Sequence, residues 1–146
     1  MKTATLETAA FSQTDLARAG ATLLRVALGI MFIAHSVVLK YLTFTLAGTA
    51  QYFVSIGLPG FLAYVVFALE AVGGVLLVLG IRTRWVALGL VPVLIGATWV
   101  HVGNGWVFSA PNGGWEYPVF LIVISLVVAA QAINQGSSRS PSGGGN

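Results

Sequence analysis

The stretch FLAYVVFALEAVGGVLLVLG, residues 61–80, decides how this chain folds. As a helix it is long enough to cross the roughly 30 Å hydrocarbon core of a bilayer. One carboxylate, Glu70, stands in its middle with no charged residue nearby, and Gly73-Gly74 follows it closely. A charge at that depth is expensive in lipid, so Glu70 is expected to face a partner or a watery cavity inside a helical bundle.

The rest of the chain agrees with that environment. It has 146 residues, of which 57% are hydrophobic and 8% charged, against about 25% charged in an ordinary soluble domain. A soluble chain of this length has no means of hiding so much apolar surface, whereas a bilayer accepts it. The formal charge of +3 is scattered over helix ends rather than gathered in a patch, which argues against nucleic acid as a partner. The absence of cysteine excludes disulfides, thiol redox chemistry within this chain, iron–sulfur ligation and cysteine zinc sites. Residues 1–15 are polar and carry both charge signs, and no small-residue cleavage site closes the first apolar run, so the N-terminus does not read as a secretory signal.

The pattern predicts an all-α membrane protein, a bundle of four transmembrane helices in one domain over residues 19–133. A cytoplasmic tail, 1–18, precedes it, and a disordered Gly/Ser-rich tail, 134–146, follows. The spans are expected at about Ala19–Tyr41, Gly60–Gly80, Trp85–Val102 and Tyr117–Ile133. Thr43–Pro59 is too polar and short to span. Leu46, Ala50, Phe53, Val54 and Gly57 fall at helical spacing there, which predicts a short interfacial or re-entrant helix between helices 1 and 2, with Thr45 or Thr49 as its N-cap. Pro92 is expected to kink the third span, and residues 102–116 form a loop rich in Gly, Pro and Trp. Lys2, Arg18, Arg25, Arg82, Arg84 and Arg139 fall on the side of the termini, and Lys40 on the other. The positive-inside rule then puts both termini in the cytoplasm, with the chain multi-pass in the membrane.

Counted by depth at about 1.5 Å per residue, His35, Lys40, Glu70, His101 and Glu116 all lie in the outer half, and only arginines lie in the inner half. This suggests a polar pocket that opens outward, floored by Glu70 and roofed by the 103–116 loop. Each member also has a structural reading. Glu70 would be a hydrogen-bonded carboxylate between helices, Lys40 an interface anchor, His35 a bridge between two helices, His101 a loop residue. Glu116 would complement the dipole of the helix it begins. Gly73-Gly74 reads as a helix-packing surface.

Three ligand chemistries can be set against these residues. Haem b needs two facing imidazoles at matched depth, and His35 and His101 differ by more than a turn. A metal held by His35, His101, Glu70 and Glu116 has suitable ligand types, yet no two of them form an i,i+3 or i,i+4 pair. A quinone-like amphipathic ligand needs a proton-exchanging group beside aromatic walls at an interface, and those residues are present. No GxGxxG, P-loop or nucleophile elbow occurs.

Three segments carry a family resemblance. RVALGIMFIAHSVVLK (25–40), EAVGGVLLVLGIRTR (70–84) and GGWEYP (113–118) resemble the DoxX family of small four-helix bacterial membrane proteins. The corresponding positions are Arg25, Gly29, His35 and Lys40; Glu70, Gly73, Gly74, Gly80 and Arg84; Gly114 and Glu116. The likeness covers about residues 20–133. It implies a four-helix inner-membrane bundle linked to redox chemistry. The related DoxD protein is a subunit of a thiosulfate:quinone oxidoreductase, and some DoxX proteins associate with thiol and oxidative-stress enzymes. Without cysteine, this chain would serve such chemistry through a partner protein or a bound quinone.

The leading expectation is therefore a membrane subunit of a quinone- or thiol/sulfur-linked redox system. Glu70 and His35 would handle protons. Lys40 and Arg25 would orient charge, Trp106, Trp115 and Tyr117 would wall the pocket, and His101 and Glu116 would complete the ligand site. A non-catalytic anchor or assembly partner for another protein is the alternative, and a small oligomeric transporter the third. Glycine-rich helix faces make a homo-oligomer compatible with any of them.

Overall fold

A computed structural model describes residues 12–137 of the chain, with side chains described as far as Ile133. Helix α1, Gln13–Ile33, continues without a break as a π-helical segment, Ala34–Thr43. Then follow α2 (Leu46–Ser55), α3 (Phe61–Leu79), α4 (Thr83–His101) with a 3-10 turn at Val102–Asn104, and α5 (Glu116–Ser137). Four of these are long and apolar enough to cross a membrane: Gln13–Thr43, Phe61–Leu79, Thr83–Asn104 and Glu116–Ile133. The chain is a multi-pass, all-α membrane bundle. The N-terminal tail expected at 1–18 lies mostly outside the described residues, and α1 already begins at Gln13. Likewise α5 continues to Ser137, and the remainder of the expected 134–146 tail lies outside them.

Local sequence accounts for the helix ends. Ser12 caps α1, its hydroxyl accepting from the Asp15 amide at 3.1 Å. Thr45, of the two threonines considered, caps α2, accepting from the Gly48 amide at 3.1 Å. Gly80 ends α3 in the left-handed region at φ 75°, a conformation that glycine adopts without a steric cost.

The π-helical segment is where the first span departs from a plain α-helix. An i→i+5 ladder shifts the hydrogen-bond register, and side chains supply donors at the junction. Ser36, fully buried, donates to the Phe32 carbonyl at 2.8 Å and to Ile33 at 3.1 Å, and His35 Nδ1 donates to Met31 at 2.8 Å. At the far end the Phe44 amide bonds Leu39 at 2.8 Å and the Thr43 hydroxyl bonds Val38 at 2.7 Å, both five residues back. In an α-helix, residues five apart lie about 140° apart around the axis. In a π-helix they return close to one face. His35 and Lys40 are such a pair.

α1 packs against α3 and α4 against α5, while α3–α4 and α1–α5 contacts close the bundle and α2 lies against α3. The core is small: Leu28, Phe32, Leu77, Ala87, Leu90, Leu94, Leu121, Val128 and Ala129. Large apolar residues such as Leu23, Ile30, Leu69, Val72, Trp99 and Phe120 point outward, where lipid replaces water as their solvent. With little hydrophobic drive between helices in lipid, close backbone approach matters more. α1 and α3 cross at Gly29 and Gly74, where a Cβ on Gly29 would sit 2.7 Å from the Gly74 carbonyl oxygen and one on Gly74 would sit 2.8 Å from that of Gly29.

This crossing yields the first prediction. Gly74→Ala should lower stability by about 1–3 kcal/mol, the usual range for overpacking, measured by thermal or denaturant unfolding in detergent. Gly96→Ala, where nothing lies within 4 Å of the added carbon, should leave stability unchanged or slightly raised.

Candidate functional site

At the end of the bundle away from the termini, Lys40 Nζ and Glu70 Oε2 form an ion pair at 2.6 Å. Glu70 is 6% exposed. The sequence leads one to expect a partner for Glu70 inside the bundle, within the cluster of His35, Lys40, His101 and Glu116. Its hydrogen-bond partner among the described residues is Lys40, and His35 lies within electrostatic reach. Helix direction explains the pairing. Side chains tilt toward the N-terminus of their own helix. α1 and α3 run antiparallel, so Lys40 leans inward from the end of its span and Glu70 leans outward from the middle of its own. Counting rise per residue puts Lys40 at the end of its span and Glu70 in the middle of its own, because it places Cα atoms, not side-chain ends. Two long side chains leaning toward each other close that interval.

His35 sits on the same span as Lys40. Its Nδ1–H is committed to the Met31 carbonyl, so the neutral ring keeps a lone pair on Nε2. The ring stacks on Tyr117 of α5, with centroids 5.6 Å apart and planes 23° apart. The Tyr117 hydroxyl is buried without a hydrogen-bond partner among the described residues. A buried hydroxyl ordinarily finds one, so this donor is one that the described residues leave unused.

Beside Tyr117 lies an apolar crevice of about 470 Å³, lined by Trp106, Phe108, Glu116, Tyr117, Val119, Phe120 and Val123. Its shape comes from the 105–115 loop folded onto the start of α5. Glu116 accepts from the Phe108 amide at 2.8 Å through Oε1, and its own amide donates to the Trp106 carbonyl at 3.0 Å. Trp106 and Trp115 meet edge to face, with centroids 4.3 Å apart, a favoured arrangement of aromatic rings. A Cβ on Gly114 would meet the Val107 carbonyl oxygen at 2.1 Å, so the loop closes this tightly only with glycine there. His101 Nδ1 lies 3.2 Å from the Gly113 carbonyl and 3.3 Å from Asn104 Nδ2, and Asn104 also donates to the Asn112 and Gly113 carbonyls.

The residues singled out from sequence thus fall into separate groups. Lys40 with Glu70, and His35 with Tyr117, form the interior part. Glu116, Trp106 and Trp115 form the loop part, and His101 braces that loop. Glu70 and Lys40 are not among the residues lining the crevice. Arg25 stands apart at the opposite end of the bundle, where Nη1 donates to the Leu77 carbonyl and, at 2.9 Å, to Val78. Sequence reasoning missed Asn104, Ser36 and Phe120. The signal for Ser36 was present, a hydroxyl beside His35 in an apolar span, where it bonds carbonyls of the preceding turn. Among the described residues no three His, Asp or Glu side chains converge as metal ligands would.

With this geometry in place, comparison with known proteins adds the following. A family model described as DoxX matches residues 20–103, a stretch that holds Arg25, His35, Lys40, Glu70 and His101 and stops short of the aromatic loop. A Bacillus subtilis protein named "Putative oxidoreductase CatD" is 47% identical over 78 residues, covering 53% of this chain and 56% of that protein. The chain thus spans about half the length of the curated relative it matches. No solved structure matches the chain.

The ion pair gives an asymmetric prediction. Lys40→Met strands a carboxylate in the interior and should cost about 3 kcal/mol or more, the range for breaking a buried pair. Glu70→Gln should cost less, because Lys40, with 19% of its side chain exposed, can turn toward the interface. The double variant should lose less than the sum of the singles. Unfolding of all four proteins in one detergent measures the cycle.

Proposed function

This chain belongs to the DoxX family, and from that premise we propose that it is the membrane subunit of a redox system and binds a quinone-like molecule in its aromatic crevice. The observation that carries the proposal is Tyr117, which lines an apolar crevice of about 470 Å³ and holds a buried hydroxyl without a partner among the described residues. That volume is in the range of small-molecule sites, which combine aromatic walls with a few convergent polar groups. A ring carbonyl would accept from Tyr117, with Trp106, Phe108 and Phe120 against the ring. The oxidoreductase in the name of the Bacillus subtilis relative supports redox chemistry as the setting.

Quinone reduction consumes two electrons and two protons. The chain has no cysteine and its residues offer no electron carrier of their own, so the electrons would come from a partner protein. Tyr117 would touch the quinone oxygen. His35, stacked on Tyr117 with Nε2 free to take a proton, would hold the ring and pass protons. The Lys40–Glu70 pair would set the electrostatics behind it. By the distribution of Lys and Arg, the crevice faces away from the cytoplasm in a bacterial inner membrane, and both termini are cytoplasmic.

A second reading is favoured by one observation. Lys40 and Glu70 satisfy each other, as a structural lock would, and a non-catalytic anchor that docks a partner needs nothing more from them.

Tyr117→Phe separates the two. In lipid nanodiscs, short-chain quinone binding should weaken by up to about tenfold, the value of one hydrogen bond, with thermal stability unchanged. Equal affinity in both proteins, or no quinone binding by the wild type above lipid background, would rule out the crevice as a quinone site and leave the anchor.

A further inference from the structure

A second cavity lies at the other end of the bundle. It has a volume of about 300 Å³ and sits among α1, the α3–α4 turn and α5, lined by Thr22, Arg25, Gly80, Thr83 and Gln131 with apolar neighbours. We propose that this cavity binds a phosphate group that also carries a hydroxyl, either a lipid headgroup of the leaflet on the side of the termini or a soluble phosphate.

The donors come first. Arg25 is partly buried and spends only Nη1, on the Leu77 and Val78 carbonyls at the end of α3. Among the described residues its Nη2 and Nε have no acceptor, and a guanidinium presents them as a fork that matches phosphate oxygens. Gly80 makes room for this placement, because a Cβ there would lie 2.8 Å from Nη1 and 3.1 Å from the guanidinium carbon. The Thr22 and Thr83 side chains add hydroxyls around the same space.

Charge follows. The α3 C-terminus offsets part of the Arg25 charge with its carbonyls, about half a unit. α4, a helix of 19 residues, starts at Thr83 on the cavity wall and contributes about half a positive unit in return. Among the described residues no carboxylate lines the cavity and none pairs with Arg25. A guanidinium partly out of water, with no counter-ion among the described residues, suits an anion.

The hydroxyl requirement comes from Gln131. It lines the cavity, and its Oε1 is buried with no hydrogen-bond partner among the described residues. A carbonyl oxygen accepts only, so a fully deprotonated oxyanion would leave it unsatisfied. A phosphate with an O–H, or a phosphodiester bearing a glycerol hydroxyl, serves Arg25 and Gln131 together.

The test uses the full chain in neutral phosphatidylcholine nanodiscs, with thermal unfolding as the readout. One arm adds inorganic phosphate against chloride at matched ionic strength. The other replaces part of the lipid with phosphatidylglycerol. Either arm should raise Tm by several degrees, phosphate alone pointing to a soluble ligand and phosphatidylglycerol alone to a headgroup. Thr22→Phe and Gln131→Leu, which leave the Arg25–carbonyl bonds in place, should keep the ligand-free Tm and lose the rise. No rise in either arm, an equal rise with chloride, or an undiminished rise in both variants would overturn the proposal.

Discussion

The structure depends on one constraint: in lipid a polar group has only the protein to bond to. The Lys40–Glu70 pair is the sharpest case. A single carboxylate in the middle of an apolar span would be hard to accommodate, and a lysine from the neighbouring antiparallel span reaches it at 2.6 Å. The pair depends on two other features. The glycine crossing of α1 and α3 brings the backbones near enough. The π-helical stretch turns Lys40 toward the face that His35 occupies. Ser36, His35 and Thr43 complete the arrangement by bonding carbonyls around the changed ladder.

The same constraint distributes the remaining polar groups. Arg25 closes the carbonyls at the end of α3, and Glu116 ties down an amide of the loop that folds over α5. What stays unsatisfied is therefore informative. Tyr117, Ser125 and Gln131 each hold a buried polar atom without a partner among the described residues, and two of the three, Tyr117 and Gln131, line a cavity. One cavity is apolar and aromatic, suited to a flat amphipathic ring. The other is polar and cationic, suited to phosphate. The chain thus has a different chemistry at each end of its bundle.

Much of the architecture was legible from residues alone, because the signals were local. The apolar runs, the glycines at 57 and 80, and the Thr45 cap each act within a turn or two, and the four spans and the short α2 lie close to where those signals put them. The site was legible in its members and less so in its pairings. Glu70 was conspicuous as an isolated charge, but its partner was hidden in a register change that no periodicity announces. A π-helical segment looks like an α-helix in sequence, and depth counted along a straight axis says nothing of which way a side chain leans. The gathering of His101 and Glu116 into one pocket with Glu70 was read from depth. In the structure both are bonded into the 105–115 loop, because loop backbone offers nearby partners that depth bookkeeping cannot see.

A bound quinone would sit in the aromatic crevice at the start of α5. Photolabelling with an azido-quinone in native membranes, followed by peptide mapping, measures it. Label is expected on Trp106–Phe108 and on the Glu116–Val123 face of α5, displaced by excess unlabelled quinone. Label spread over lipid-facing positions such as Leu23 and Val72, with no displaceable fraction at the crevice, would contradict it.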